Sequence, residues 1–139
     1  MSAGSRIPVL RHRPDVRFNK IAPAGFRILA ALDKATKVIG FDLEITSGTD
    51  SHTSGQHPLG QAYDVSVKGM TIPVIARLKK FLQQELGERF TVLYEVPDLV
   101  TDADEALIAY VNPDASGKHL HLQVRKGTVY PPTTNVAYV

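Results

Sequence analysis

A chain of 139 residues with 43% hydrophobic content can bury one core, and a net charge of +2 is too small to imply a nucleic-acid partner by itself. It has no cysteine, which excludes a disulfide framework, a thiolate metal site and a thiol nucleophile; any metal must be held by His, Asp or Glu. No window reaches the roughly 18 to 20 apolar residues of a membrane span, and "MSAGSRIPVLRHRPDVRFNK" lacks the apolar stretch of a signal peptide, so the expectation is a protein made and folded in the cytoplasm.

Residues 1–22 read as an irregular basic arm with Pro8 and Pro14, carrying Arg6, Arg11, Arg13, Arg17 and Lys20. Such a cluster is ordinarily solvated surface; its functional reading is contact with an anionic polymer. Residues 23–139 read as a single domain. The spacing predicts a helix from Pro23 to Ile39, with Phe26, Leu29, Ala30, Leu32 and Ile39 on one broad face and Gly40 as its stop. "FDLEITSG" predicts a strand with Leu43 and Ile45 on one face, residues 49–60 a loop, and "QAYDVSV" a second strand.

The clearest helix follows, with Thr71 as N-cap, Pro73 in the first turn and Gly87 at the end. Val74, Ile75, Leu78, Phe81, Leu82 and Leu86 recur at helical spacing and are read as core. "FTVLYEV" is a strand, residues 97–105 an acidic loop, "ALIAYV" a strand, "NPDASGK" a turn and "HLHLQV" the last strand, before an extended tail. This order predicts an α+β fold, a mainly antiparallel sheet with helices packed on one face.

Four of the five histidines fall in two short segments, "HTSGQHPLGQAYDVSV" and "GKHLHLQV". In a strand, residues i and i+2 point the same way, so His119 and His121 share one face while Leu120 and Leu122 take the other. An H-x-H alone is more often a pair of surface or hydrogen-bonded structural histidines. His57 ends a loop, Gly60 permits a tight turn, and Asp64 follows on a strand, seven positions after His57. A turn and a strand can bring both side chains to one point. His nitrogen and Asp oxygen both suit zinc, at about 2.0 to 2.2 Å, and a third ligand from another strand leaves a position open, as in catalytic zinc sites. Taken singly, Asp64 reads as a turn or cap acid and His57 as a loop histidine.

Together, "HPLGQAYD" and "HLH" resemble the pattern H-x-x-G-x-A-x-D … H-x-H of the zinc D-alanyl-D-alanine carboxypeptidases, the L-alanyl-D-glutamate endopeptidases and the related hedgehog domain. The resemblance runs through residues 24–125 in order of elements, and about a dozen residues carry its specific part. It implies a zinc site on the sheet with His57, Asp64 and His121 as ligands and His119 lining it. It also implies Zn2+ as cofactor and cell-wall (peptidoglycan) peptides as substrate, with neither nucleic acid nor membrane as partner. A glutamate follows a tyrosine in hedgehog-like members, and Tyr94-Glu95 stands in a comparable setting, which makes Glu95 the candidate base. His119 or Lys118 would stabilise the oxyanion, a contribution of about 3 kcal/mol for such a donor. Without a signal peptide, such an enzyme would reach the wall as a phage or prophage lysis enzyme, or recycle wall fragments inside the cell.

The chain departs from the family at several positions. Gly55 stands where a serine is usual, with Ser54 one step away, and Lys118 stands where other members carry the catalytic glutamate. "SGTD" has no arginine where the carboxypeptidases read "SGYR", which leans the reading toward an endopeptidase, or toward carboxylate binding by Lys118 or a distant arginine. His52 is a further candidate for substrate binding. The residues between Asp98 and Asn112 exceed the hedgehog spacing and would wall the cleft. Two other classes stand beside the peptidase: a catalytically silent zinc-containing binding module of the same fold, and, more weakly, a nucleic-acid binder using the basic arm.

Overall fold

The computed structural model of the chain describes residues 6–49, 57 and 59–131. Among them run β1 (Leu10–His12), α1 (Pro23–Ile39), β2 (Leu43–Ser47), β3 (Ala62–Ser66), α2 (Ile72–Leu86), β4 (Phe90–Val96), α3 (Asp102–Ala106), β5 (Ala109–Val111) and β6 (His119–Val124). The strands form one six-stranded sheet in the order β1-β2-β3-β6-β4-β5.

The fold is α+β, but the sheet is mixed rather than mainly antiparallel. β2, β3, β6 and β4 pair antiparallel, while each edge strand is parallel to its neighbour, β1 to β2 and β5 to β4. A parallel neighbour needs a crossover connection, usually through a helix. α1 supplies one crossover. α3, in the segment expected to be an acidic loop, supplies the other, and only Ala109–Val111 of "ALIAYV" forms a strand. The arm is likewise not irregular throughout. Its residues 10–12 pair with β2, and the Asp42 carboxylate anchors it by accepting from the Val9 N–H at 2.9 Å and from the Arg6 guanidinium at 2.6 Å.

α1 begins at Pro23, whose missing N–H costs nothing in the first turn, and ends at Gly40, in the left-handed region at φ 84°. Its buried face is Ala24, Ile28, Ala31, Leu32, Ala35, Thr36 and Ile39. Phe26, 60% exposed, and the exposed Ala30 do not belong to it, and Leu29 is only partly buried. Gly25 on this face meets the turn before β3 closely, since a Cβ there would collide with the Gly60 carbonyl oxygen. α2 runs over its predicted bounds, from the N-cap Thr71 to Gly87, burying Ile75, Leu78, Leu82 and Leu86; Phe81 packs against the edge of the core, and Val74, expected in it, lies outside.

Both helices cover one face of the sheet. α1 packs on β3 and β6, α2 on β4, and the two touch each other. That face contributes Leu43 and Ile45, Tyr63 and Val65, Phe90, Val92, Tyr94 and Val96, and Leu120, Leu122 and Val124 to one core. The opposite face of the central strands carries the polar side chains. No helix among the described residues is long and apolar enough to cross a membrane.

Candidate metal centre

Strand register assembles the site. Asp64 on β3 lies opposite His121 on β6, and His119, two residues earlier, lies opposite Glu95 on β4. Directly opposed side chains in an antiparallel pair have Cβ atoms about 4.5 to 5.5 Å apart, so both pairs are in reach on the helix-free face. His57 arrives from a turn closed by the Gly60 N–H donating to the His57 carbonyl at 2.9 Å. Gly60 sits at φ 72°, and a Cβ there would collide with the Lys20 carbonyl oxygen. The turn is therefore wedged against the end of the arm and the start of α1, where the Ala22 N–H donates to the Gly60 carbonyl.

Three donor atoms converge. His121 Nδ1 is 2.7 Å from Asp64 Oδ1, His57 Nε2 is 3.6 Å from the same oxygen, and the two ring nitrogens are 3.4 Å apart. The outer nitrogens are held by carbonyl oxygens. His57 Nδ1 lies 3.1 Å from the Gly48 carbonyl, and His121 Nε2 lies 2.7 Å from Gln123 Oε1. An N–H donated outward leaves the lone pair of the other ring nitrogen facing inward, the arrangement typical of metal-bound histidine. Ligands 2.0 to 2.2 Å from a tetrahedral ion would stand roughly 3.3 to 3.6 Å from each other. Two of the three separations meet this. The third is closed by a hydrogen bond between Asp64 and His121. His57 and Asp64 are buried, at 5% and 7% exposure. His57, Asp64 and His121 can hold a metal ion.

A second group adjoins the first. His119 Nε2 is 2.9 Å from Glu95 Oε1 and 3.7 Å from Asp64 Oδ1, and its outer Nδ1 is 3.1 Å from the Gly117 carbonyl. The electrostatics follow from this crowding. Burial pushes the Asp64 carboxyl up, but hydrogen bonds from His121 and His57 and the charge of His119 outweigh it and hold Asp64 well below the carboxylate range. The hydrogen bond from His119 lowers Glu95 against its burial. Burial lowers His119 and His121, yet the bonds to Glu95 and Asp64 prevail and raise both.

The structure thus brings together His57, Asp64, His121, His119 and Glu95. Lys118 is not among them. One residue before β6, it falls in line with Leu120, and its Nζ lies 3.0 and 3.1 Å from the two Asp104 oxygens. His52 lies outside the described residues. A cleft of about 770 Å³ adjoins the site at His119 and Ser66 and is lined also by Arg13, Thr46 and Tyr94. Sequence reasoning missed Gln123, although the alternation that pairs His119 with His121 extends to it. It also missed Asp104, which Thr101 signals: the Thr101 hydroxyl accepts from the Asp104 N–H, an N-cap of the T-x-x-D type.

The chain matches no family model, no curated protein and no solved structure.

Proposed function

We propose that the protein is a zinc-dependent peptidase that hydrolyses cell-wall peptides, in the manner of the D-Ala-D-Ala carboxypeptidases or L-Ala-D-Glu endopeptidases that its motifs resemble. The observation that carries this reading is a carboxylate–imidazole pair, Glu95 and His119, set beside a three-ligand His57–Asp64–His121 group on one sheet face. Structural metal sites are closed by four protein ligands, and three ligands with a flanking acid–base pair suit catalysis better. When bound by these three residues, zinc would supply a Lewis acid that polarises the scissile carbonyl and acidifies water.

The chain's own residues do the rest. Glu95, lowered by its bond to His119, is ionised at neutral pH and takes the proton of the attacking water at its carboxylate. It returns that proton to the leaving amine. In its imidazolium form, which the facing Glu95 and Asp64 carboxylates favour, His119 donates from Nε2 to the developing oxyanion. Arg13, whose Nη2 donates to the Thr46 carbonyl at 2.9 Å and whose Nε lies 3.4 Å from the exposed Asp15 carboxylate, lines the adjoining cleft and is our candidate for the distant arginine that meets a substrate carboxylate. Lys118, committed to Asp104, is a poorer choice for that role.

The test is mass spectrometry of defined cell-wall peptides after incubation with zinc-loaded protein and with its Glu95→Gln variant. A fragment made by the wild type alone is expected. The absence of any fragment, with zinc confirmed bound, favours the silent binding module. Lys118, standing where relatives of the motif carry their glutamate, is what supports that second reading.

A further inference from the structure

We infer that the site takes two divalent cations, the second on Glu95, His119 and the shared Asp64, and that this second ion switches the site off. The switching rests on the peptidase reading; the binding does not. The second group repeats the construction of the first. Its histidine is 8% exposed and has its outer nitrogen on a backbone carbonyl, so its inner nitrogen points at two carboxylates. The donor atoms of Asp64, Glu95 and His119 all lie within 4.8 Å of one another.

Two oxygens and one imidazole nitrogen suit a borderline divalent ion such as zinc, as the first group does. Paired sites that share a carboxylate hold their ions about 3.5 to 4 Å apart. Two like charges so close repel, so the second ion binds more weakly than the first and fills only when the metal is in excess. Glu95 cannot accept a proton from water while it ligates an ion. Filling the second site therefore removes the base and leaves the first ion in place.

The experiment is calorimetric titration of the metal-free full chain with zinc chloride, beside the Glu95→Gln, His119→Ala and His57→Ala variants, each checked for folding by circular dichroism. Two classes of site are expected in the wild type, the second at least tenfold weaker. Glu95→Gln and His119→Ala should each keep the tight ion and lose the weak one, whereas His57→Ala should lose the tight one. A single ion in the wild type, or two ions in a folded Glu95→Gln protein, would overturn the inference. Hydrolysis of a cell-wall peptide should rise to one equivalent of zinc and fall severalfold as the weaker site fills. Two bound ions with no hydrolysis of any peptide would sink the peptidase reading and the switch while leaving the second site standing. Hydrolysis undiminished by excess zinc, with one ion bound, would do the reverse.

Discussion

Two polar clusters lie beside β4 and β6 on opposite sides of the sheet, and they differ in one respect. On the helix-covered side, the Asp104 carboxylate accepts from the Tyr94 hydroxyl at 2.7 Å, from Lys118 at 3.0 and 3.1 Å and from the Thr101 hydroxyl at 3.3 Å. One anion meets one cation and two hydroxyl donors, so the cluster is complete. On the other side, two carboxylates face three imidazoles whose outer nitrogens are already committed to Gly48, Gly117 and Gln123. Apart from the Asn112 amide, which donates to Glu95 Oε1 at 3.5 Å, the ring nitrogens and carboxylate oxygens described turn acceptors inward until a cation or protons arrive. Against their burial, the facing carboxylates raise His119 and His121, so that protonation of these rings is favoured where no cation is bound. Burial and hydrogen bonding do not separate the two clusters. The balance of donors against acceptors does.

The largest effects should come from removing an inward-facing group. His121→Ala or Asp64→Asn should abolish tight zinc binding, read by calorimetry, because only two ligands remain. On the peptidase reading, Glu95→Gln should keep tight zinc binding and lower kcat by about 10² to 10⁴, the usual worth of a positioned acid–base group. An intermediate effect is expected one shell out. Gln123→Leu takes the carbonyl from His121 Nε2 and should weaken zinc binding by about 10- to 100-fold with the fold intact. Unchanged affinity in that variant would mean that the outer partners do not set the inward lone pairs.

How far this contrast can be read in the sequence depends on length and parity. β4, β6 and α2 are long, with strong periodicity, and the structure places them where their patterns do. Asp64 on β3, His119 and His121 on β6 and Glu95 on β4 are gathered by register, and His57 joins them from the turn before β3. β1 and β5 are three residues each, too short for an alternation to show, and their parallel pairing is decided by distant edges. The face of α1 misleads because its burial falls on Ala24, Ala31, Ala35 and Thr36, small residues that hydropathy undervalues, while bulky Phe26 stays outside. Lys118 was legible: the alternation that sets His119 and His121 together sets Lys118 with Leu120, away from the metal group.

The smallest effect on the site, and a clear effect on stability, should follow from Asp104→Asn. The substitution leaves Lys118 without its anion and weakens the bonds from Tyr94 and Thr101, a loss of about 2 kcal/mol once the partial exposure of Lys118 is discounted. For a domain of this size that is roughly 5 to 10 °C in Tm at pH 7. Burial raises the Asp104 carboxyl, but the Tyr94 and Lys118 bonds outweigh it and hold it below the ordinary carboxylate range. A group lowered in the folded state contributes its full stability above the unfolded value, near pH 4, and loses it as the pH falls through the folded value. The gap in Tm between wild type and Asp104→Asn should therefore hold from pH 7 down to about pH 5 and close below pH 4. Zinc affinity should be unchanged throughout the neutral range, because the complete cluster needs no metal. A fall in zinc affinity beyond tenfold would show that the two clusters act as one, through the backbone that joins Tyr94 to Glu95 and Lys118 to His119.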